Sequence, residues 1–369
     1  MKGFYFHNTD VRNTRAHMSQ ILNTVANMQK NMRVELVLPR YAGEVRLETV
    51  QQNSNVRIMP PIVFLNNFGI KKPGAIAFIL CNIPAICFLV SKKIKGKADF
   101  IYVRANLFLP LVFVAFLLRV PVIYESHRKP MTSGEKIRDR ILSRLVTGIV
   151  VISEYLKSYY AQYEKRMLVS HDAVSLESFN NSLGREKARN LLGFPQEKRI
   201  AVYSGTVSNL KGIPYVVNAA SRLSDVDFLL AGIIAPEFKN VDLPENIKLL
   251  GKRDQKEIPT LLQAADVLLL PHPRGEYSQS PMKLFEYMAS GVPIVASRLP
   301  SLCEILNDSN AVLVEPENPD SLVQGIEKIF ANKNKAQDLA SHARMDVNAY
   351  TWEKRGEMIS RFIQAELNK

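Results

Sequence analysis

Short aliphatic and β-branched runs alternate with longer stretches of helical periodicity along nearly the whole chain. In the first half, GFYFH (3–7), VELVLP (34–39), VRIM (56–59), DFIYVR (99–104), PVIYE (121–125) and GIVVIS (148–153) predict strands. Helical patterns lie between them near 14–30, 74–94, 106–118, 134–146 and 153–163. The second half repeats the scheme. Its predicted strands are RIAVYSG (199–205), VDFLLAG (226–232), IKLLG (247–251), DVLLLP (266–271), PIVAS (293–297) and NAVLVEP (310–316). Its helices fall near 211–223, 255–265, 281–290, 300–307, 319–332 and 335–346. Such alternation means parallel sheets with helices on both faces. It starts afresh after the irregular stretch HDAVSLESFNNSLGRE (171–186), so two doubly wound α/β domains facing a cleft are expected. In sheets of this kind ligands bind beyond the carboxyl ends of the strands.

A length of 369 residues, 47% of them hydrophobic, suits two domains of ordinary size. The net charge of +13 is unevenly spread. Residues 1–170 hold 25 Lys and Arg against 10 Asp and Glu, whereas the remainder holds 23 against 25. A basic front half suggests a face for an anionic partner. No aromatic residues interleave with that charge in the manner of a single-strand-binding protein, so the readings left open are a solvated basic surface and an anionic membrane surface, rather than nucleic acid. The apolar segments GAIAFILCNIPAICFLV (74–90) and FLPLVFVAFLL (108–118) are read as buried helices beside a sheet. The first is broken by Asn82 and Pro84 and the second is too short to span a bilayer. Lysines flank the first segment, a pattern that also suits a helix lying at a membrane interface. Cys81, Cys87 and Cys303 are scattered without metal-ligand spacing, and MKGFYFHNTD does not read as a signal peptide. A cytoplasmic protein is expected, with peripheral attachment at the inner face of the cell membrane as one reading of the basic half.

The most informative stretch is SPMKLFEYMASGVP (280–293), which predicts a helix entered at Ser280-Pro281 and closed by Gly291. Ser280 suits an N-cap and Pro281 the first helical position. The amides of Met282, Lys283 and Leu284 then lack partners within the helix, which makes an anion site. Lys283 in a first turn opposes the helix dipole unless an anion sits there. Glu286 lies about 7.5 Å further along the axis from Pro281, roughly the distance from a nucleotide's terminal phosphate to its ribose. The same two residues also fit a simple i, i+3 surface ion pair. A second constellation, YSGTVSNLKGIPYVVNAA (203–220), is a strand, a tight exit at Gly205, a polar loop, and Lys211-Gly212 opening a helix. It is neither GxGxxG nor a Walker loop. Strand order would bring it near residue 280 at the same sheet edge.

SPMKLFEYMASGVPIVAS, preceded by AADVLLLP and by the SGT…LKG loop, resembles the donor-binding half of glycosyltransferase family 4, retaining enzymes of the GT-B fold. DFIYVRAN, PVIYESHR, VVISEYLK and HDAVSLESF are similar to stretches of that family's first domain and linker. YTWEKRGEMISRF resembles its last helix, which crosses back. The resemblance implies a first, acceptor-side domain at 1–172 completed by 352–369, and a nucleotide-sugar domain at 173–351. It implies that Lys211 and the amides of 280–284 bind the donor diphosphate, that Glu286 holds the ribose, and that backbone near Lys252 and Arg253 meets the base. His127 matches the histidine placed over the donor sugar. His127, Lys211 and Glu286 are thus the expected catalytic residues. Gly205, Thr206, Lys211, Arg253, Ser278, Ser280, Pro281, Met282, Lys283, Leu284 and Glu286 form the expected donor site.

The resemblance implies a nucleotide-diphosphate sugar as donor, with no cofactor or metal expected, because lysines and helix amides can stabilise the leaving diphosphate. The acceptor is expected to be a saccharide or polyprenyl-linked saccharide in cell-surface polysaccharide assembly. The chain departs from the family pattern where Ser278 replaces a glutamate and Thr206 a basic residue. HNTDVRNTRAHMSQ likewise stands in place of a glycine-rich loop. On the acceptor side, Arg104 suits an acceptor phosphate, a helix cap, or a pair with Glu125. His17 is either a ligand contact or a packed histidine, and Trp352 reads as core. Two alternatives stay open from sequence: a binding or scaffold subunit without catalysis, and a sugar-nucleotide epimerase.

Overall fold

The computed structural model describes residues 1–13, 16–54, 56–69, 80–104, 108–180, 183–275 and 281–369. The chain forms two compact units, Met1–Asp172 with Trp352–Lys369, and Ala173–Thr351.

The first unit is built on seven parallel strands: β1 (Lys2–Phe6), β2 (Arg33–Pro39), β3 (Ile62–Leu65), β4 (Phe100–Arg104), β5 (Val122–Ser126), β6 (Gly148–Val151) and β7 (Arg166–Val169). They are ordered β3-β2-β1-β4-β5-β6-β7. Strand β1 starts the sheet at its middle and the order reverses beside it, which defines a switch point between β1 and β4. Helix α1 (Ala16–Met28) follows β1 and buries Met18, Ile21, Leu22, Val25 and Met28, the i, i+3, i+4, i+7 spacing of a helix with one apolar face. Helix α2 (Leu47–Ser54) follows β2, and both pack on one side of the sheet. On the other side lie α3 (Asn82–Ile94), α4 (Leu109–Leu117), α5 (Ser133–Leu145) and α6 (Glu154–Tyr160).

The second unit has six parallel strands: β8 (Arg199–Ser204), β9 (Val226–Ala231), β10 (Ile247–Gly251), β11 (Val267–Leu270), β12 (Ile294–Ser297) and β13 (Val312–Val314). Their order, β10-β9-β8-β11-β12-β13, puts the switch point between β8 and β11. Nine helices are described here: α7 (Glu177–Asn180), α8 (Gly184–Leu192), α9 (Ile213–Arg222), α10 (Ile258–Gln263), α11 (Met282–Ser290), α12 (Pro300–Cys303), α13 (Pro319–Ala331) and α14 (Lys333–Asp346) belong to the unit, and α15 (Trp352–Leu367) then returns to the first unit and packs on α1. Trp352 is buried there.

Three expectations change. No strand forms at 56–59, where Ile58 is exposed; β3 forms instead at Ile62–Leu65, paired with β2. Pro60 and Pro61 have no amide to donate, so the ladder begins after them. Strand β7 and helices α2 and α8 arise from segments without clean periodicity. Helix α4 is not a buried helix: Leu111, Val112 and Ala115 face the sheet, while Phe113, Phe116 and Leu117 are exposed. The part of segment 74–90 before residue 80 lies outside the described residues. Among the described residues no helix is long and apolar enough to cross a membrane.

Candidate functional site

At the second switch point the chain leaves β8 through Gly205, whose φ of +141° and neighbours favour glycine: a Cβ there would lie 2.3 Å from Lys283 Nζ. The next loop tightens into a 3-10 turn, Asn209–Lys211, and Gly212 at φ +78° starts α9. A Cβ on Gly212 would sit 1.7 Å from the Pro271 carbonyl oxygen, so only glycine lets the Lys211 turn press against the exit of β11. These contacts bring the two sequence constellations together at one sheet edge.

Helix α11 enters the same place. Leu284, Phe285, Tyr287 and Met288 are buried and fix the helix, and the Tyr287 hydroxyl accepts from the Ser204 amide at 2.8 Å. The helix starts one residue later than expected, with Pro281 as N-cap, and the Leu284 amide donates to the Pro281 carbonyl at 2.9 Å. Among the described residues the first-turn amides left without a partner are therefore those of Met282 and Lys283, not Leu284. Ser278 and Ser280 lie outside the described residues.

Lys283 and Glu286 do not pair with each other. Lys283 Nζ donates to the Tyr203 hydroxyl at 2.8 Å and sits 4.0 Å from the centre of the Tyr203 ring. Gln255 Nε2 donates to Glu286 Oε1 at 2.5 Å. Burial and the nearby Lys211 hold the Lys283 ammonium well below its ordinary pKa, and burial lowers that of Lys211. Burial raises the Glu286 carboxyl to about 7, against the opposing pull of Gln255 and Lys283. Two lysines thus share a desolvated place where their charge is costly, the electrostatic signature of a site shaped for an anion.

Sequence reasoning missed His272, which follows β11 directly. It is fully buried, and among the described residues neither ring nitrogen has a hydrogen-bond partner. Burial, then Lys283 and Lys211, hold it well below the usual histidine pKa. Its only sequence signal is its place at the end of a strand beside a switch point. Thr206 is exposed and its carbonyl accepts from the Tyr203 hydroxyl at 2.9 Å. Lys252 and Arg253 are exposed just past β10.

The first unit carries a different cluster at its own switch point. Glu125, at the end of β5, is buried and its ion partner is Arg355 of α15, at 2.6 Å, rather than Arg104. Arg355 also donates to the His171 carbonyl at 2.7 Å. His127 Nε2 lies 2.6 Å from Glu125 Oε1, and Arg104 Nη2 lies 3.2 Å from His127 Nδ1. A guanidinium can only donate, so Nδ1 accepts and the ring proton sits on Nε2, donating to Glu125. Burial and Arg104 lower the His127 pKa to about 4, leaving a neutral imidazole with both nitrogens engaged. Burial alone would raise the Glu125 pKa, but Arg355, His127 and Arg104 together hold it well below the carboxylate range. Arg104 also donates to the His17 carbonyl at 3.3 Å, and His17 Nε2 lies 3.2 Å from the Thr9 hydroxyl. The Tyr102 hydroxyl donates to Glu125 Oε2 at 2.5 Å. Among the described residues no group of His, Cys, Asp and Glu is arranged to hold a metal ion.

Residues 184–346 match the family model described as glycosyl transferases group 1. The chain is 24% identical over 57% of its length to a D-inositol 3-phosphate glycosyltransferase of Streptomyces bingchenggensis, covering 50% of that relative. It is 27% identical over 58% of its length to the putative teichuronic acid biosynthesis glycosyltransferase TuaH of Bacillus subtilis, covering 54% of it. The chain therefore spans about half the length of these curated relatives. In fold it is similar to Anabaena Alr3699/HepE, crystallised in complex with UDP, with a TM-score of 0.76 at 18% identity over 99% of this chain and 100% of that one. The second unit thus carries the sequence signature of the glycosyl transferases group 1, on a chain whose two Rossmann-like units have the fold of the GT-B glycosyltransferases.

Proposed function

We propose that the chain is a retaining glycosyltransferase that takes a sugar from a nucleotide-diphosphate sugar and passes it to a saccharide or polyprenyl-linked saccharide, in the assembly of a cell-surface polysaccharide. The observation that carries this reading is the cradle at the β8–β11 switch point, where Lys211, Lys283, His272 and the first amides of α11 converge. The match to glycosyl transferases group 1 over the same unit supports it.

The chemistry follows from charge. As the anomeric C–O bond breaks, its electron pair leaves on the diphosphate, and negative charge grows on the β-phosphate oxygens. Lys211, Lys283 and the amides of Met282 and Lys283 are already fixed where that charge develops, so they stabilise it without reorganising. His272, neutral and lacking a protein partner among the described residues, donates a ring N–H to the same anion and is satisfied by it. Glu286, about 7.5 Å along the helix from Pro281, accepts from the ribose hydroxyls, and backbone near Lys252 and Arg253 meets the base. The acceptor hydroxyl bonds to the anomeric carbon and its proton leaves with the diphosphate. No metal is assigned a role, since the lysines supply the positive charge.

In the first unit, Arg104, Glu125 and His17 are placed on the acceptor side. His127, with both nitrogens held, acts by the shape and polarity of a fixed neutral ring rather than as a general base. The UDP held by the Anabaena relative makes UDP-sugars the first donors to test. Turnover of a nucleotide sugar with release of its diphosphate, retention at the anomeric carbon by proton NMR, and indifference to a chelator would support the reading. Diphosphate binding without transfer to any acceptor would favour a scaffold subunit instead.

A further inference from the structure

The three helices α3, α4 and α5 lie side by side on one face of the first sheet, each touching the next. Each joins strands of a parallel sheet, so all three run the same way. Their inner sides are ordinary core. Their outer sides are not: Phe113, Phe116 and Leu117 of α4 are 51%, 53% and 63% exposed, and Ile137 and Ile141 of α5 are 60% and 44% exposed. Ile83 and Ile94 stand on the outer side of α3. Residues 113, 116 and 117 share one helical face, as do 137 and 141. Scattered exposed apolar residues need no explanation, but adjacent helices presenting aromatic and aliphatic side chains along one face do.

The charges on this face have one sign. Lys93, Lys95 and Lys97 end α3, Arg119 follows α4, and Lys136, Arg140 and Arg144 lie exposed on α5. Of the two carboxylates on these helices, Asp139 is buried against Tyr124 and Tyr160, and Glu135 is held by Arg128.

We propose that the α3–α4–α5 face is a docking surface for an anionic phospholipid membrane, with Phe113, Phe116 and Leu117 entering the headgroup boundary and the flanking lysines and arginines meeting lipid phosphates. Apolar side chains ringed by basic ones fit this occupant: a second copy of the chain would bring the same positive charge against itself, and a purely apolar partner would leave it unmatched. The inference stands apart from the donor chemistry, which belongs to the other unit.

The test is sedimentation of the full chain with vesicles. The wild type should bind phosphatidylglycerol-containing vesicles at low salt, release as salt rises, and bind pure phosphatidylcholine weakly. The exposed-site variant Phe113→Ser/Phe116→Ser/Leu117→Ser and the charge variant Arg140→Gln/Arg144→Gln should each lower the partition coefficient about tenfold or more. Circular dichroism and nucleotide binding by the same proteins show that both remain folded, and they test the glycosyltransferase reading separately. Wild type left in the supernatant at low salt, or both variants binding like wild type, would overturn the proposal. So would a lipid-free dimer of the wild type that the triple variant abolishes, which would make the face a self-interface.

Discussion

Lys283 sits in the first turn of α11, where a helix dipole disfavours a cation by about 0.3–1 kcal/mol, and it is desolvated as well. A bound diphosphate removes both costs. A charge-assisted hydrogen bond contributes about 1.5–3 kcal/mol, so Lys211→Ala should lower kcat/KM about 10- to 150-fold, with Lys283→Met similar. Initial rates with the donor varied would measure both. Glu286 gives a pH prediction. Its carboxyl, raised to about 7, is protonated in much of the free protein below that pH. Only the carboxylate accepts from both ribose hydroxyls. Nucleotide affinity relative to Glu286→Gln should therefore be greatest above pH 7 and shrink as pH falls, by up to about tenfold per unit. Titrations of both proteins between pH 6 and 8.5 follow the ratio; a ratio independent of pH would remove Glu286 from the ribose. At this scale Lys211, Lys283 and Glu286 were legible because each stands at a fixed offset from a strand end or helix start. His272 was not, since an isolated loop histidine carries no periodicity and its burial depends on elements far away in sequence. The Glu125–Arg355 pair was illegible for the same reason, its partners lying 230 positions apart.

Among the elements, the turn at Lys211–Gly212 and helix α15 carry the sharpest expectations. Gly212→Ala puts a Cβ into the Pro271 carbonyl at a positive φ, so the turn must move and take Lys211 with it. Nucleotide affinity should fall at least as far as in Lys211→Ala, and a titration compares the two directly. Arg355→Ala leaves Glu125 buried without its arginine partner, which should cost about 3–5 kcal/mol, read as lost thermal stability. Because the pair holds the Glu125 pKa below its unfolded value, its stabilisation is full above the ordinary carboxylate range and is lost progressively as pH falls from that range toward the depressed folded value. The wild-type advantage over Arg355→Ala should accordingly narrow in acid. Glu125→Gln with Arg355→Met should recover much of the loss. The second unit's strands were all visible in the pattern, because its central parallel strands, such as β9 and β11, are buried throughout and read as continuous apolar runs. Strand β3 was displaced from its expected place by two prolines, and β7, RMLV, is too short and too charged at its start to stand out. Helix α4 was read as buried because all nine of its residues are apolar; composition alone does not show which side faces the sheet.

Across the whole molecule the chain separates its positive charge from the proposed nucleotide site. The first unit carries the positive excess and the apolar outer face, while the second carries the cradle in a nearly neutral setting. The division into two alternating β/α units was legible because the pattern restarts after an irregular stretch. The return of α15 to the first unit was legible only through the family resemblance, since an amphipathic terminal helix does not state which sheet it joins. The most direct measurement is a calorimetric titration of the wild type and Lys211→Ala with UDP, GDP, ADP and dTDP. One diphosphate should bind the wild type at one site per chain, about tenfold or more tighter than the variant. Equal affinities in the two proteins, or no binding of any diphosphate, would contradict a nucleotide-sugar site in the β8–β11 cradle.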